Sequence, residues 1–211
     1  MAAVLGVILL SACASVPQGA PSSGFVDSHV AAAYVPLNER DWLLREHWGA
    51  ALKIGPGVAV TNAHNANLVP KADVLATSRD YDLLFYRPSA VTNQDDWLRV
   101  QGARVAVNDE VVAYGQFGKD LREAKGVVRA IDGEVAPLCA ECPVQRAIAF
   151  DAPAGPGFSG GPLVEAKTGT VVGLVFGYRD GEAADGGRRM FAYDMALVLA
   201  EMRRLLPPKT P

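Results

Sequence analysis

Through most of this chain the apolar positions fall in short runs broken by turn-forming residues. Val58-Ala59-Val60-Thr61 follows a Gly55-Pro56-Gly57 turn, Leu83–Tyr86 follows Asp80-Tyr81-Asp82, and Leu163-Val164 and Val171–Gly177 flank Lys167-Thr168-Gly169. Runs rich in β-branched residues and bounded in this way read as strands, the last two as a hairpin. Arg104–Ala113 and Gly126–Ile131 read likewise, with Gly115-Gln116-Phe117-Gly118 as the turn between them. The period changes near the C terminus, where Met195, Val198, Leu199, Met202, Leu205 and Leu206 recur at helical spacing. Asp194 stands in the capping position, Arg203 and Arg204 suit the last turn, and Pro207-Pro208 stops the element, so a helix is predicted over 195–206. Phe25–Pro36 has no clear period and suits an edge strand or an extended arm. Leu37–Trp48 allows a short helix or a strand edge. The pattern as a whole predicts an all-β protein closed by one short helix.

The chemistry concentrates in Asp151–Gly177. Within it Ser159 stands among Gly155, Gly157, Gly160 and Gly161, where the backbone can turn tightly and approach a ligand without side chains in the way. A serine presented on such a loop is a candidate nucleophile, and it needs a base. The chain holds His29, His47 and His64, all before Ser159. Gly157-Phe158-Ser159-Gly160-Gly161 fits the GxSxG elbow of α/β-hydrolases, but those enzymes place their histidine after the serine, which excludes an ordinary esterase or lipase. The order His, Asp, Ser is that of the chymotrypsin-like architecture. His64 ends the strand-like run before it, whereas His29 and His47 read as surface or packing residues. Asp27 precedes His64, so a subtilisin order is formally open, but strands and turns rather than alternating helices separate His64 from Ser159.

The segments Thr61-Asn62-Ala63-His64, Asp82–Tyr86, Val111–Gly133 and Asp151–Val164 together resemble a trypsin-like serine peptidase of the bacterial HtrA (Deg) type, over roughly residues 48 to 200. The resemblance implies a double six-stranded β-barrel of the chymotrypsin kind, with barrel 1 over about 48–90, barrel 2 over about 103–190, and the helix packed on the outside. It implies a serine endopeptidase acting on polypeptide substrates through His64, an acid and Ser159, with no metal and no organic cofactor. Asp73, Asp80 and Asp82 all follow His64. Asp82, which leads an apolar run as the family acid does, is the expected orienter and Asp80 the alternative. The interval of 18 residues from His64 to Asp82 is short for the family and implies a first barrel with at least one hairpin reduced.

By the same resemblance the backbone N–H groups of Gly157 and Ser159 form an oxyanion hole. Pro153 and Ala154 lie at the base of a specificity pocket whose other wall is Val175, Phe176 and Gly177. None of these is charged, so small or medium apolar side chains are expected before the cut. Phe158 is a departure: digestive relatives carry an aspartate there that pairs with a newly cut N terminus, and HtrA relatives an asparagine. A phenyl ring makes no ion pair, so the loop must be ordered by other means, or closed in a resting state. A catalytically inactive trypsin-fold lipoprotein serving as a binding or scaffold protein is therefore the competing expectation. Relatives commonly carry a PDZ domain after the protease, and none is expected here, as the sequence ends at Pro211.

Met1–Leu10 is continuously apolar, the length of a signal-peptide core rather than of a membrane span. Leu10-Ser11-Ala12-Cys13 resembles a lipobox, which implies a signal peptide over 1–12 and lipidation of Cys13; an ordinary secretory signal is the alternative, and no basic residue precedes the apolar core. Ala14 rather than aspartate after it suggests a periplasm-facing lipoprotein of the outer membrane. Residues 13–24 then read as the lipidated cysteine and a Pro-, Ser- and Gly-rich flexible tether, and 25–211 as the peptidase domain. Cys139 and Cys142 remain as an even pair. A local disulfide in an oxidising compartment suits them better than redox chemistry or zinc, for which further ligands are missing, and two free thiols are the alternative.

Composition adds limits. The 211 residues suit a single domain with a sizeable core, half of them being hydrophobic. With 20 basic against 23 acidic residues the formal charge is −3, and no basic stripe forms, so nucleic acid is not an expected partner.

Overall fold

The computed structural model describes residues 19–40, 43, 45–89, 97–98, 104–136 and 144–207. Its elements are β1 (Ala20–Pro21), α1 (Ser28–Ala33), β2 (Tyr34–Arg40), β3 (Glu46–Gly55), β4 (Val58–Thr61), a 3₁₀ turn over Ala63–Leu68, β5 (Val74–Thr77), β6 (Leu84–Tyr86), β7 (Glu110–Phe117), β8 (Asp120–Val135), β9 (Gln145–Asp151), β10 (Pro162–Glu165), β11 (Val171–Asp180), β12 (Arg188–Asp194) and α2 (Met195–Leu205).

The strands form two sheets. The first is antiparallel in the order β2-β3-β4-β6-β5. The described residues contribute five strands to it, the first of which starts at Tyr34. In the second, β8 is long enough to pair with β7 along one part and β9 along the other, which closes β8-β7-β10-β11-β12-β9 into a six-stranded barrel, with β1 added alongside β8. β9 meets β8 only from Val127 to Val135, so the first part of β8 keeps an edge, and β1 occupies it at Arg122 and Glu123.

Alternation explains how two sheets share one interior. In β7 the side chains of Val111 and Ala113 enter the core of the second barrel, while Val112 and Tyr114 point the other way, into a cluster shared with the first sheet. In β6, Leu84 and Tyr86 fill the first sheet's own core and Phe85 joins the shared cluster. Period-2 patterning buried on both faces is what a strand between two cores requires. The shared cluster contains Leu52, Val60, Leu83 and Phe85 from one side and Tyr114, Leu174, Phe176 and Tyr193 from the other, so the sheets are packed face against face by apolar contact.

Several expectations are met and others corrected. Asp194 caps α2 by accepting the Ala196 N–H at 2.6 Å, and Met195 and Val198 are buried as the helical spacing requires. The Lys167-Thr168-Gly169 turn joins β10 to β11. Gly115-Gln116-Phe117 is not a turn: β7 runs through it, and the chain reverses at Gly118-Lys119. Leu37–Arg40 and Glu46–Trp48 belong to the paired strands β2 and β3. Phe25–Pro36 contains a short helix, and Asp27 is its N-cap, accepting the His29 N–H at 2.6 Å, rather than a catalytic acid. Residues 19–24, expected within a flexible tether, are docked on the second barrel through β1. Most of the stretch between the two expected barrels, Cys13, Cys139 and Cys142, and the expected signal peptide lie outside the described residues.

Candidate active site

His64 owes its place to the end of β4. The strand stops at Thr61, and the following 3₁₀ turn swings His64 outward, leaving its side chain 47 % exposed. Asp82 sits immediately before β6, which pairs with β4, so strand pairing alone brings the two together. Asp82 Oδ2 lies 2.6 Å from His64 Nδ1, and Oδ1 accepts the His64 backbone N–H at 3.0 Å. Both carboxylate oxygens are thus committed to one residue, which fixes the ring plane and requires the proton on Nδ1. The unpartnered ring nitrogen, Nε2, is left as an acceptor. Asp80 is turned to Arg204, at 3.2 Å, and does not meet the histidine. His29 and His47 are exposed on α1 and β3.

The loop that holds Asp82 is braced from the other sheet. Tyr193 on β12 accepts the Asp82 N–H through its hydroxyl at 3.0 Å. The Ser78 hydroxyl donates to Glu201 of α2 at 2.5 Å and accepts the N–H groups of Asp80 and Tyr81. Glu201 is buried in the middle of an otherwise apolar helix face, where the Arg204 guanidinium holds its carboxyl below the usual carboxylate range against the opposing effect of burial. Helical spacing did not single it out, because a glutamate in a helix is ordinarily solvated.

Ser159 lies on the loop between β9 and β10, partly buried. Its carbonyl accepts the N–H of Ala50 on β3 at 2.9 Å and the side-chain amide of Asn65 at 3.1 Å. Asn65 also donates to Thr61 Oγ1 at 3.0 Å. The serine loop of one sheet is therefore hydrogen-bonded to the turn of the other that carries His64. Asn65 escaped the sequence reading, though it stands directly after the histidine. Its role depends on the second sheet, which no local pattern reveals.

Two glycines make this approach possible. Gly157 has φ +91° and a Cβ there would lie 2.0 Å from the Gln116 carbonyl oxygen; Gly160 has φ +80° and would meet the Ala50 carbonyl oxygen at the same distance. No other residue fits either position. Between them, the Phe158 N–H donates to the Gly155 carbonyl and the Gly160 N–H to that of Val175, whereas the N–H groups of Gly157 and Ser159 bond to no described residue.

Of the expected specificity residues, Pro153 is exposed, Gly177 half-buried, and Ala154, Val175 and Phe176 buried. Phe176 stacks on Tyr193 with ring centres 4.1 Å apart, so it contributes backbone rather than side chain to any cleft. One charged group was missed. Arg188 on β12 is 5 % exposed; its Nη1 donates to the Ala154 carbonyl at 2.9 Å, its Nε to Asp180 at 2.6 Å, and its guanidinium covers the Tyr178 ring at 4.3 Å. It ties the Ala154 carbonyl of one expected wall to Asp180 near the end of β11, and Asp180 matches its charge.

The fold resembles solved proteases. The Rv3671c protease of M. tuberculosis in its active form superposes with a TM-score of 0.67 over 99% of this chain and 97% of that one, at 19% identity. The HtrA-type protease AlgW with a tripeptide gives 0.65 over 85% of this chain and 62% of that one, at 20% identity. In sequence, 105 residues are 32% identical to the chloroplastic Protease Do-like 1 of Arabidopsis thaliana, covering 49% of this chain and 24% of that protein, so the match spans about a quarter of the relative. Residues 55–174, from the turn before β4 into β11, match the trypsin-like peptidase domain, and the chain belongs to that family.

Proposed function

We propose that the protein is a serine endopeptidase that cleaves polypeptides through His64, Asp82 and Ser159. The observation that carries this reading is the bonding of the Ser159 carbonyl by Asn65, next in sequence to a histidine already oriented by Asp82. Neutral His64 takes the Ser159 hydroxyl proton at Nε2 as Oγ attacks the scissile carbonyl carbon, and Asp82 stabilises the imidazolium that forms. The Gly157 and Ser159 N–H groups receive the developing oxyanion, each worth roughly 10²–10³ in rate. The imidazolium then protonates the leaving amine as the C–N bond breaks. Water, deprotonated by His64, hydrolyses the acyl-enzyme and returns the serine hydroxyl.

The walls offered by Pro153, Ala154, Val175, Phe176 and Gly177 carry no charge, and that of Arg188 is spent on Asp180. Small or medium apolar side chains before the cut suit such a pocket, and a peptide panel showing preferred cleavage after arginine would refute this. The apolar N terminus and its lipobox-like Leu10–Cys13 support export and lipid anchoring through Cys13 on the periplasmic face of the outer membrane, where a Cys139–Cys142 disulfide would form. Metabolic labelling with a palmitate analogue, lost in Cys13→Ala, tests the anchor.

A fluorophosphonate probe tests the chemistry. It should label the wild-type chain and not Ser159→Ala. A wild-type chain that stays unlabelled while folded would instead be a binding protein on a peptidase scaffold.

A further inference from the structure

We propose that the N-terminal segment Gly19–Ser22 is a positioning element for the reaction, which holds the Gly157–Ser159 loop in shape by walling in the ring of Phe158. The inference rests on the peptidase reading above.

The segment is fixed at both ends. Ala20 and Pro21 pair with Glu123 and Arg122 of β8. The Ser22 N–H donates to the Leu121 carbonyl at 3.0 Å, and its hydroxyl to Glu123 at 2.7 Å. At the other end the Gly19 N–H donates at 2.9 Å to the carbonyl of Pro153, on the very loop that leads to Ser159. A short exposed stretch of mixed composition is thereby stitched to the nucleophile loop.

The contact that matters is apolar. Phe158 is 1 % exposed, and its ring lies in a slot between two glycines of different elements. A methyl group on Gly19 would stand 2.6 Å from the ring Cζ, and one on Gly115 of β7 would stand 2.7 Å from the ring Cγ. Carbon atoms cannot approach so closely, so the slot admits the ring only because neither wall has a side chain. Gly115 stands within β7 for this reason, a glycine inside a strand often marking close approach.

Phe158 is also the residue between the two proposed donors. Its own N–H is bonded to Gly155 and its carbonyl receives the Gly161 N–H, so the peptide planes on either side follow the ring. The Ser159 N–H belongs to the Phe158–Ser159 peptide, so turning that peptide away requires the ring to leave the slot, and Gly19 blocks its exit. A buried phenyl ring under the Gly19–Ser22 segment thus orders the loop without an ion pair.

The test uses the full chain carrying Gly19→Val, which a φ of +69° and the contacts above make incompatible with docking. Loss of one oxyanion donor predicts a fall in kcat of about 10²-fold, with KM moved by less than about twofold and fluorophosphonate labelling slowed in parallel. The low-field proton resonance of His64 bonded to Asp82 and the far-UV circular dichroism should stay as in wild type. Free peptide of residues 19–24, added at millimolar concentration, should restore labelling in part. Phe158→Ala should lose activity in the same way, and Phe158→Leu, which refills part of the slot, should recover at least about tenfold of that loss. If wild type reacts and Gly19→Val and Phe158→Ala react within about twofold of it, the positioning role is overturned while the peptidase reading stands. If wild type itself does not react, the peptidase reading falls, and this inference with it.

Discussion

The hydroxyl of Tyr193, on the second sheet, accepts the backbone N–H of Asp82, on the first, at 3.0 Å. The acid that orients His64 is therefore held from across the junction of the two sheets. Tyr193→Phe keeps the stacking on Phe176 and removes only this bond. Such a loss costs about 1 kcal/mol and lowers Tm by roughly 2–4 °C for a chain of this size. The same energy, felt at the ring of His64, lowers kcat by about three- to tenfold with KM nearly constant. Steady-state kinetics and a melting curve on the one variant check both.

Which aspartate serves the histidine is decided by a pair of substitutions. Asp82→Asn presents an amide to Nδ1 and selects the wrong tautomer, so kcat should fall by about 10⁴-fold. Asp80→Asn breaks an exposed pair with Arg204 and should change kcat by less than about twofold. The opposite ranking in a peptide-hydrolysis assay would move the acid's role to Asp80.

Asn65→Ala removes the side-chain bonds to the Ser159 carbonyl and to Thr61 Oγ1, leaving the Ala50 N–H to hold that carbonyl to the first sheet. Urea unfolding should show a loss of about 1–3 kcal/mol, because two largely buried hydrogen bonds are lost together. The labelling rate of Ser159 should drop at the same time, with the Nδ1–Asp82 proton resonance unmoved.

Acid sensitivity should track Glu201. Its folded carboxyl is held low by the Arg204 guanidinium, with burial opposing and the Ser78 hydroxyl adding to the lowering. A depressed acid contributes stability above its unfolded pKa of about 4.3 and loses it as pH falls through the folded value. Below about pH 4, therefore, the denaturation midpoint of wild type should fall more steeply than that of Glu201→Gln. Parallel curves would show that the carboxylate plays no part.

Much of this was legible in the residues themselves. Val58–Thr61 had to be a strand ending near His64, Asp82 had to lead another, and Asp194 had to start the last helix, because each signal is local. What escaped depends on a partner distant in sequence. Ser-Val-Pro-Gln-Gly-Ala-Pro-Ser-Ser has the composition of a tether, yet its last residues form β1 because β8 offers them an edge. Gly115 looks like a turn residue until the ring it accommodates is in view. Arg188 looks like a surface cation, although its stem lies under the loop it braces. The short helix at Ser28–Ala33 has too few residues to show a period, and tertiary burial of Val30 and Ala33 decides it.

Because the carbonyl of Ser159 is bonded by Ala50 and Asn65, the proposed nucleophile belongs to neither half of the molecule alone. On the proposed function, a nascent chain with only one lobe formed would have no assembled cutting edge, and newly made copies would be harmless to one another while still unfolded. In refolding experiments, proteolysis should appear only after the lobes have come together, later than the bulk of the β-signal.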